Sequence, residues 1–169
     1  MHSPIIFFIV EDHDTTRQVL EIALRLRGYN VISAAHYADA LTMGLTQEFD
    51  LLVCDIELLD GTGTDLLKEL RKNKVFPAIA VSGWCSEQYL EWYRQVGFDD
   101  CLGKPYSLLK LIAISKELIR RYYGEVQDEQ TLHRSASEPT GSEQPHLPHE
   151  SILHIMQEFK QRSQKRGER

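Results

Sequence analysis

Six polar positions, each within four residues of the end of an apolar run, carry the chemistry this sequence could perform. Glu11, Asp12 and Asp14 follow Ile5–Val10, Asp55 follows Leu51–Cys54, Ser82 follows Ala78–Val81, and Lys104-Pro105 follows Cys101–Leu102. Any one acid of this kind could simply cap a helix. The set as a whole asks for more, because carboxylates converging on one pocket repel each other unless a cation neutralises them. Mg²⁺ suits such a group: it accepts carboxylate oxygens and keeps waters that a phosphate oxygen can replace. A lysine and a hydroxyl close by would then hold the remaining oxygens of a phosphoryl group.

Convergence needs elements that deliver all these residues to one edge. The apolar runs, with Val31–Ala34 between the first and the third, are continuous and rich in β-branched residues, as in parallel strands buried on both faces. Helical patterns alternate with them near Thr15–Arg27, Ala38–Thr46, Thr64–Lys72, Glu87–Val96 and Ser107–Tyr122, with Asp14 expected to cap the first and Gly28 to stop it. Five such units predict an α/β fold with a five-stranded, parallel, doubly wound sheet. In that fold ligands bind beyond the carboxyl ends of the strands.

The 169 residues exceed what this unit uses. A single domain is expected over 1–123, an acidic and polar linker over 124–150, and a short amphipathic helix with a basic end over 151–169. The net charge of −6 divides accordingly, −4 over 1–123, −4 over 124–149 and +2 over 150–169. The linker, GEVQDEQTLHRSASEPTGSEQPHLPHE, has little aliphatic content and three of the six prolines, too little to offset chain entropy by burial. After it, Ile152, Leu153, Ile155, Met156 and Phe159 recur near helical spacing behind Ser151, a candidate cap. The histidines of the tail, His133, His146, His149 and His154, read as solvated positions and not as a metal tract.

Acidic composition argues against direct nucleic-acid binding. No apolar run reaches the roughly 18 residues of a membrane span, and the first ten residues lack a secretory pattern, so a cytoplasmic location is expected. Cys54, Cys85 and Cys101 fall in no metal-ligand spacing, and reduced structural thiols are expected.

The stretches FFIVEDHDTTRQVLEIALRLRGYNV, DLLVCDIELLDGTGTDLLKEL, IAVSG and FDDCLGKP, in this order, resemble the receiver domain of two-component response regulators of the CheY-like, stand-alone type. The likeness spans residues 4–123, about seven-tenths of the chain. It implies that Asp55 accepts a phosphoryl group from the histidine of a partner kinase or phosphotransfer protein. Asp12 and Asp55 would ligate Mg²⁺ directly, Glu11 through water, and the main-chain carbonyl of Glu57 would complete the protein ligands. Ser82 and Lys104 would bind the phosphate oxygens, with Pro105 after a cis bond. The implied protein is a signalling phosphoacceptor and not an enzyme, with output through a downstream protein, a second copy of the chain being one candidate.

Two departures bear on that picture. Cys101 stands three before the lysine, where the family usually has a Tyr or Phe that rotates on activation, so output here is expected to bypass that switch. Trp84 and Glu57 would flank the entrance to the phosphate, with Trp84 shielding it from water. Two other classes stay open on the sequence. One is a phosphorylation-independent interaction module with the same fold. The other rests on Asp12-His13-Asp14-Thr15-Thr16, which fits the DxDxT of haloacid-dehalogenase-like phosphatases, with Asp12 as nucleophile and Asp14 as general acid. That family has a further acidic motif after the lysine, whereas here Leu108–Tyr123 reads as a helix.

Overall fold

Where nearly every side chain in a run is apolar, the run can be shielded from water only between two layers, and five such runs form the sheet of this protein. A computed structural model of the chain describes residues 4–124. The elements are β1 (Ile6–Val10), α1 (Asp14–Arg25), β2 (Asn30–Ala34), α2 (Tyr37–Thr46), β3 (Leu51–Asp55), β4 (Glu57–Leu58), β5 (Gly61–Thr62), α3 (Gly63–Arg71), β6 (Ala78–Ser82), α4 (Glu87–Val96), β7 (Asp100–Gly103) and α5 (Leu108–Tyr123). The sheet runs β2-β1-β3-β6-β7, every neighbouring pair parallel. The expected linker and the helix over 151–169, with the tail histidines, lie outside the described residues.

Alternation along each strand sorts the core into two faces. Phe7, Ile9, Leu51, Val53, Ile79, Val81 and Leu102 pack with Leu20 and Leu24 of α1 and with Leu111, Leu118 and Ile119 of α5. On the other face, α2 comes so close to α3 that a Cβ added to Gly44 would meet Leu70 at 2.6 Å and Phe8 at 3.1 Å. Phe8, Phe49 and Phe76 stack in series there, with centroids 5.2 and 4.9 Å apart.

The amino edge of the sheet is tied by two acids. Asp99 accepts hydrogen bonds from the Ala78 N–H at 2.8 Å, the Tyr122 hydroxyl at 2.7 Å and Arg71 at 3.1 Å, joining β6, α5 and α3. Asp50 accepts from the Ile6 N–H at 2.8 Å and so sets β1 beside β3. With that edge held, the loops at the carboxyl edge can be given to chemistry.

Two local expectations are corrected, and one short element is added. The cap of α1 is His13, whose ring nitrogen accepts from the Thr16 N–H at 3.4 Å; Asp14 sits inside the first turn and pairs with Arg17. The segment after β3 is a two-rung antiparallel hairpin, β4 with β5, pairing Glu57 with Thr62. Cys85 and Cys101 are joined as a disulfide, leaving Cys54 as the free, buried cysteine. Sixteen residues separate the pair in sequence, but β6 and β7 are adjacent, so the turn after β6 lies over β7.

That hairpin turn also serves α2. His36, at the N-cap, makes no side-chain capping bond, and Asp60 reaches across to accept from the N–H groups of Tyr37 at 2.7 Å and Ala38 at 3.2 Å. The Tyr37 N–H bond is the main reason the Asp60 carboxyl lies below its ordinary 3.8. A depressed carboxylate contributes stability above its unfolded pKa and loses it as pH falls through the folded value. Asp60→Ala is therefore expected to lower stability near neutral pH by about 1 kcal/mol, a typical capping contribution, in urea denaturation. The difference from wild type should shrink as pH falls through the depressed folded value, below 3.8, where the wild-type carboxylate is itself protonated.

Candidate functional site

Parallel strands end at a common edge, so residues that leave the sheet there are brought together whatever their distance in sequence. Val10 pairs with Cys54, Asp55 with Val81, and Ser82 with Gly103. Glu11 and Asp12 thus emerge beside Asp55, and Asp55 emerges between β1 and β6. The Lys104 N–H donates to the Ser82 carbonyl at 2.8 Å, placing the base of the lysine next to the serine. The Lys104–Pro105 peptide bond is cis.

Glu11 is 2% exposed, Asp55 6% and Ser82 3%, while Asp12 is half-buried. Ligand oxygens of Glu11, Asp12 and Asp55 all lie within 4.8 Å of one another. Lys104 Nζ spans two of these acids, 2.5 Å from Asp55 Oδ2 and 3.0 Å from Glu11 Oε2. The second Asp55 oxygen accepts from the Glu57 N–H at 3.1 Å, and Glu11 Oε1 accepts from the His13 N–H at 3.2 Å.

Electrostatics follow from burial. The Glu11 carboxyl is pushed above its ordinary value, first by desolvation and then by the Asp55 charge, and Lys104 offsets this only in part. Burial alone would lower the Lys104 ammonium, but the bonds and charges of Asp55 and Glu11 together outweigh it and hold it above 10.5. One ammonium shared between crowded carboxylates leaves negative charge over. Three hard oxygen donors with surplus charge and one half-open side fit a small divalent cation such as Mg²⁺.

The structure thus brings Glu11, Asp12, Asp55 and Lys104 into one cluster, with Ser82 and the Glu57 main chain at its border. Trp84 lies just outside, 40% exposed, its N–H donating to Ser82 Oγ at 3.1 Å and its ring 6.1 Å from that of Tyr89. Cys101 is not in the cluster; it lies on β7, bonded to Cys85. Asp14, the general acid of the phosphatase reading, is exposed, paired with Arg17 and outside the carboxylate group.

Over residues 7–116 the chain matches the family model of the response regulator receiver domain. The chain belongs to that family. Solved relatives agree with the assignment and cover the described part of this receiver. A putative response regulator from Chloroflexus aurantiacus J-10-fl is 29% identical with a TM-score of 0.65, the match covering 70% of this chain and 100% of that one. The receiver domain of Francisella response regulator 1452 is 28% identical at a TM-score of 0.66, covering 70% and 98%. A two-component response regulator from Clostridium difficile is 26% identical at 0.65, covering 69% and 97%. The phosphatase alternative is set aside by the family match and by the placement of Asp14.

Two residues of this receiver's site carry no sequence signal. Tyr93 of α4 is buried and Tyr106, after the cis proline, half-buried beside the cluster, and neither hydroxyl has a hydrogen-bond partner of good geometry. Desolvation pushes both phenols up to about 12, with the acids of the site adding to it, Glu57 and Asp55 for Tyr93, Glu11 and Asp55 for Tyr106. In sequence each reads as one more helix or loop aromatic; only the packing turns it toward the acids. Among the described residues no helix is long and apolar enough to cross a membrane.

Proposed function

We propose that this receiver is the phosphoacceptor of a two-component relay, taking a phosphoryl group on Asp55 from the phosphohistidine of a kinase or phosphotransfer protein. The observation that carries the reading is the meeting of Glu11, Asp12 and Asp55 within 4.8 Å, with Lys104 bonded to the oxygen of Asp55. A carboxylate oxygen of Asp55 forms the new P–O bond, and the P–N bond to the donor imidazole breaks with its electron pair returning to the ring nitrogen. Glu11, Asp12 and Asp55, with the carbonyl of Glu57, would hold Mg²⁺, which when bound shields the phosphoryl oxygens from the carboxylate charge. Lys104 and the Ser82 hydroxyl supply donors to those oxygens. Before transfer Lys104 is engaged with the acids; afterwards it and Ser82 have a new anion to bind. That differential contact is what can shift a conformational equilibrium and be read by a downstream protein, a second copy of the chain included. The chemistry ends at the protein's own acyl phosphate and its slow hydrolysis, so the chain is a signal carrier and not a turnover catalyst.

Acetyl phosphate tests the reading. With Mg²⁺, intact-mass measurement should show one added phosphoryl group that maps to Asp55, and chelation of the metal should prevent it. An absence of any Mg²⁺-dependent adduct at Asp55 rules the reading out. Trp84, on the loop beside Ser82, would restrict water at the acyl phosphate in this reading. Trp84→Ala is expected to hasten dephosphorylation about threefold, as loss of water exclusion would. An unchanged rate would remove that role from Trp84.

A further inference from the structure

The phosphoryl site makes no use of Cys85 and Cys101, yet they are placed symmetrically about it. Cys85 comes three residues after Ser82, and Cys101 comes three residues before Lys104. These are the two donors assigned to the phosphate, Ser82 at the end of β6 and Lys104 just after the neighbouring β7, with Ser82 paired to Gly103. The Cα atoms of the cysteines are 6.0 Å apart, inside the roughly 4.4–6.8 Å that a disulfide spans. Cys85 Cβ also lies 3.1 Å from the position a Cβ on Gly103 would take, so the turn after β6 is laid closely over β7. Cys101 is 5% exposed and Cys85 half-buried, which leaves Cys85 as the sulfur that a reagent reaches first. Cys54 does not compete, being buried in the core away from the pair.

We propose that Cys85 and Cys101 form a redox modification site, a dithiol–disulfide pair whose oxidised form tethers the 83–86 turn to β7 and restrains the phosphate-binding site. The proposal rests on the reading of Asp55 as phosphoacceptor. The oxidant is a low-molecular-weight disulfide. The Cys85 thiolate attacks one sulfur of it, forming a mixed disulfide and releasing one thiolate. Cys101 then attacks Cys85 Sγ and expels the second, and the two protons lost by the cysteines end on the two released thiols. Reduction by two equivalents of small thiol reverses both steps, starting at Cys85.

The consequence for the site is mechanical. Ser82 Oγ accepts from the Trp84 N–H at 3.1 Å, so the turn and the hydroxyl move as one. A phosphoryl group on Asp55 introduces three oxygens between Ser82 and Lys104, and the turn has to adjust to admit them. Gly83 has open space on its Cβ side, which gives the turn that freedom while the thiols are separate. A covalent link at Cys85 withdraws it, because the turn is then anchored at both ends.

The test uses the full chain, either reduced or oxidised with glutathione disulfide, with the state verified by non-reducing peptide mapping. Oxidation should yield the Cys85–Cys101 peptide and slow amide exchange over 83–86 without Mg²⁺. Beryllofluoride with Mg²⁺, followed by calorimetry, should bind the oxidised form about fivefold or more weakly than the reduced form, the scale of ordinary site-to-site coupling. Modification of Asp55 by acetyl phosphate should slow in parallel. Cys85→Ser should match the reduced wild type under both conditions. Failure to form the Cys85–Cys101 link overturns the proposal, as does equal or tighter beryllofluoride binding by the linked form while Asp55 is still modified. If Asp55 is modified in neither redox state, the phosphoacceptor reading falls and the restraint falls with it.

Discussion

Asp55→Asn is expected to carry no phosphoryl group under conditions that modify the wild type. The amide has nearly the same volume, and the Glu57 N–H can still donate to the side-chain carbonyl where it now meets Asp55 at 3.1 Å. What it lacks is the anionic oxygen that would form the P–O bond and the charge that binds Lys104. The readout is intact mass after acetyl phosphate with Mg²⁺, with circular dichroism to confirm the fold. An adduct that persists would move the nucleophile elsewhere, Asp12 first. The same variant tests the electrostatics. A carboxyl whose folded pKa is raised stabilises the protein below its unfolded value and loses that contribution as pH rises through the folded value. Glu11 is such a group, with Asp55 the second cause of its shift after burial. In metal-free buffer the Glu11-linked loss of stability above about pH 4.5 should therefore be smaller in Asp55→Asn than in wild type, in denaturation curves taken from pH 4 to 7.

Gly63→Ala is the substitution expected to damage the fold most for the fewest atoms. A Cβ there would lie 2.3 Å from the Asp55 carbonyl oxygen, 2.8 Å from Cys54 Sγ and 3.1 Å from the Asp55 carbonyl carbon. The first and last of these are main-chain atoms of β3, which is hydrogen-bonded to β1 on one side and β6 on the other and cannot retreat from either. Nor can α3 move away freely, since the Gly63 N–H donates to the Ile56 carbonyl at 2.9 Å. A stability loss of about 3 kcal/mol, at the upper end of overpacking penalties, is expected from chemical denaturation. Gly83→Ala serves as the control: it lies in the same site with nothing within 4 Å of an added Cβ and should denature like wild type. A Gly63→Ala midpoint close to that of Gly83→Ala would contradict the packing argument.

Gly63 also shows why part of the site was hard to read from the chain. In DIELLDGTG a glycine after a turn reads as conformational freedom, yet this one is there for close approach to the strand that carries Asp55. Asp60, three residues before Gly63, looks like a turn residue, and in the fold it caps a helix more than twenty residues earlier. His13 takes the cap expected of Asp14, because a ring nitrogen with extended backbone geometry competes well with a carboxylate one position later. The two-residue strands of the hairpin are too short for any periodicity to reveal.

Other features were legible. Strands and helices fall where apolar continuity and helical spacing put them, because a parallel strand shielded on both faces must be apolar throughout. Since parallel strands share a direction, the polar residue that ends each run must leave at the same edge. That local rule is enough to collect Glu11, Asp12, Asp55, Ser82 and Lys104 from a span of 94 residues, and it is what the sequence alone determined. The tertiary structure decided who meets whom along that edge. The order β2-β1-β3-β6-β7 puts Asp55 between Glu11 and Ser82, lets Lys104 bridge two acids, and sets Cys85 over Cys101. Each of these is a contact between segments whose own patterns are complete without it. Local pattern carries no record of such meetings, and only the packing of the strands side by side does.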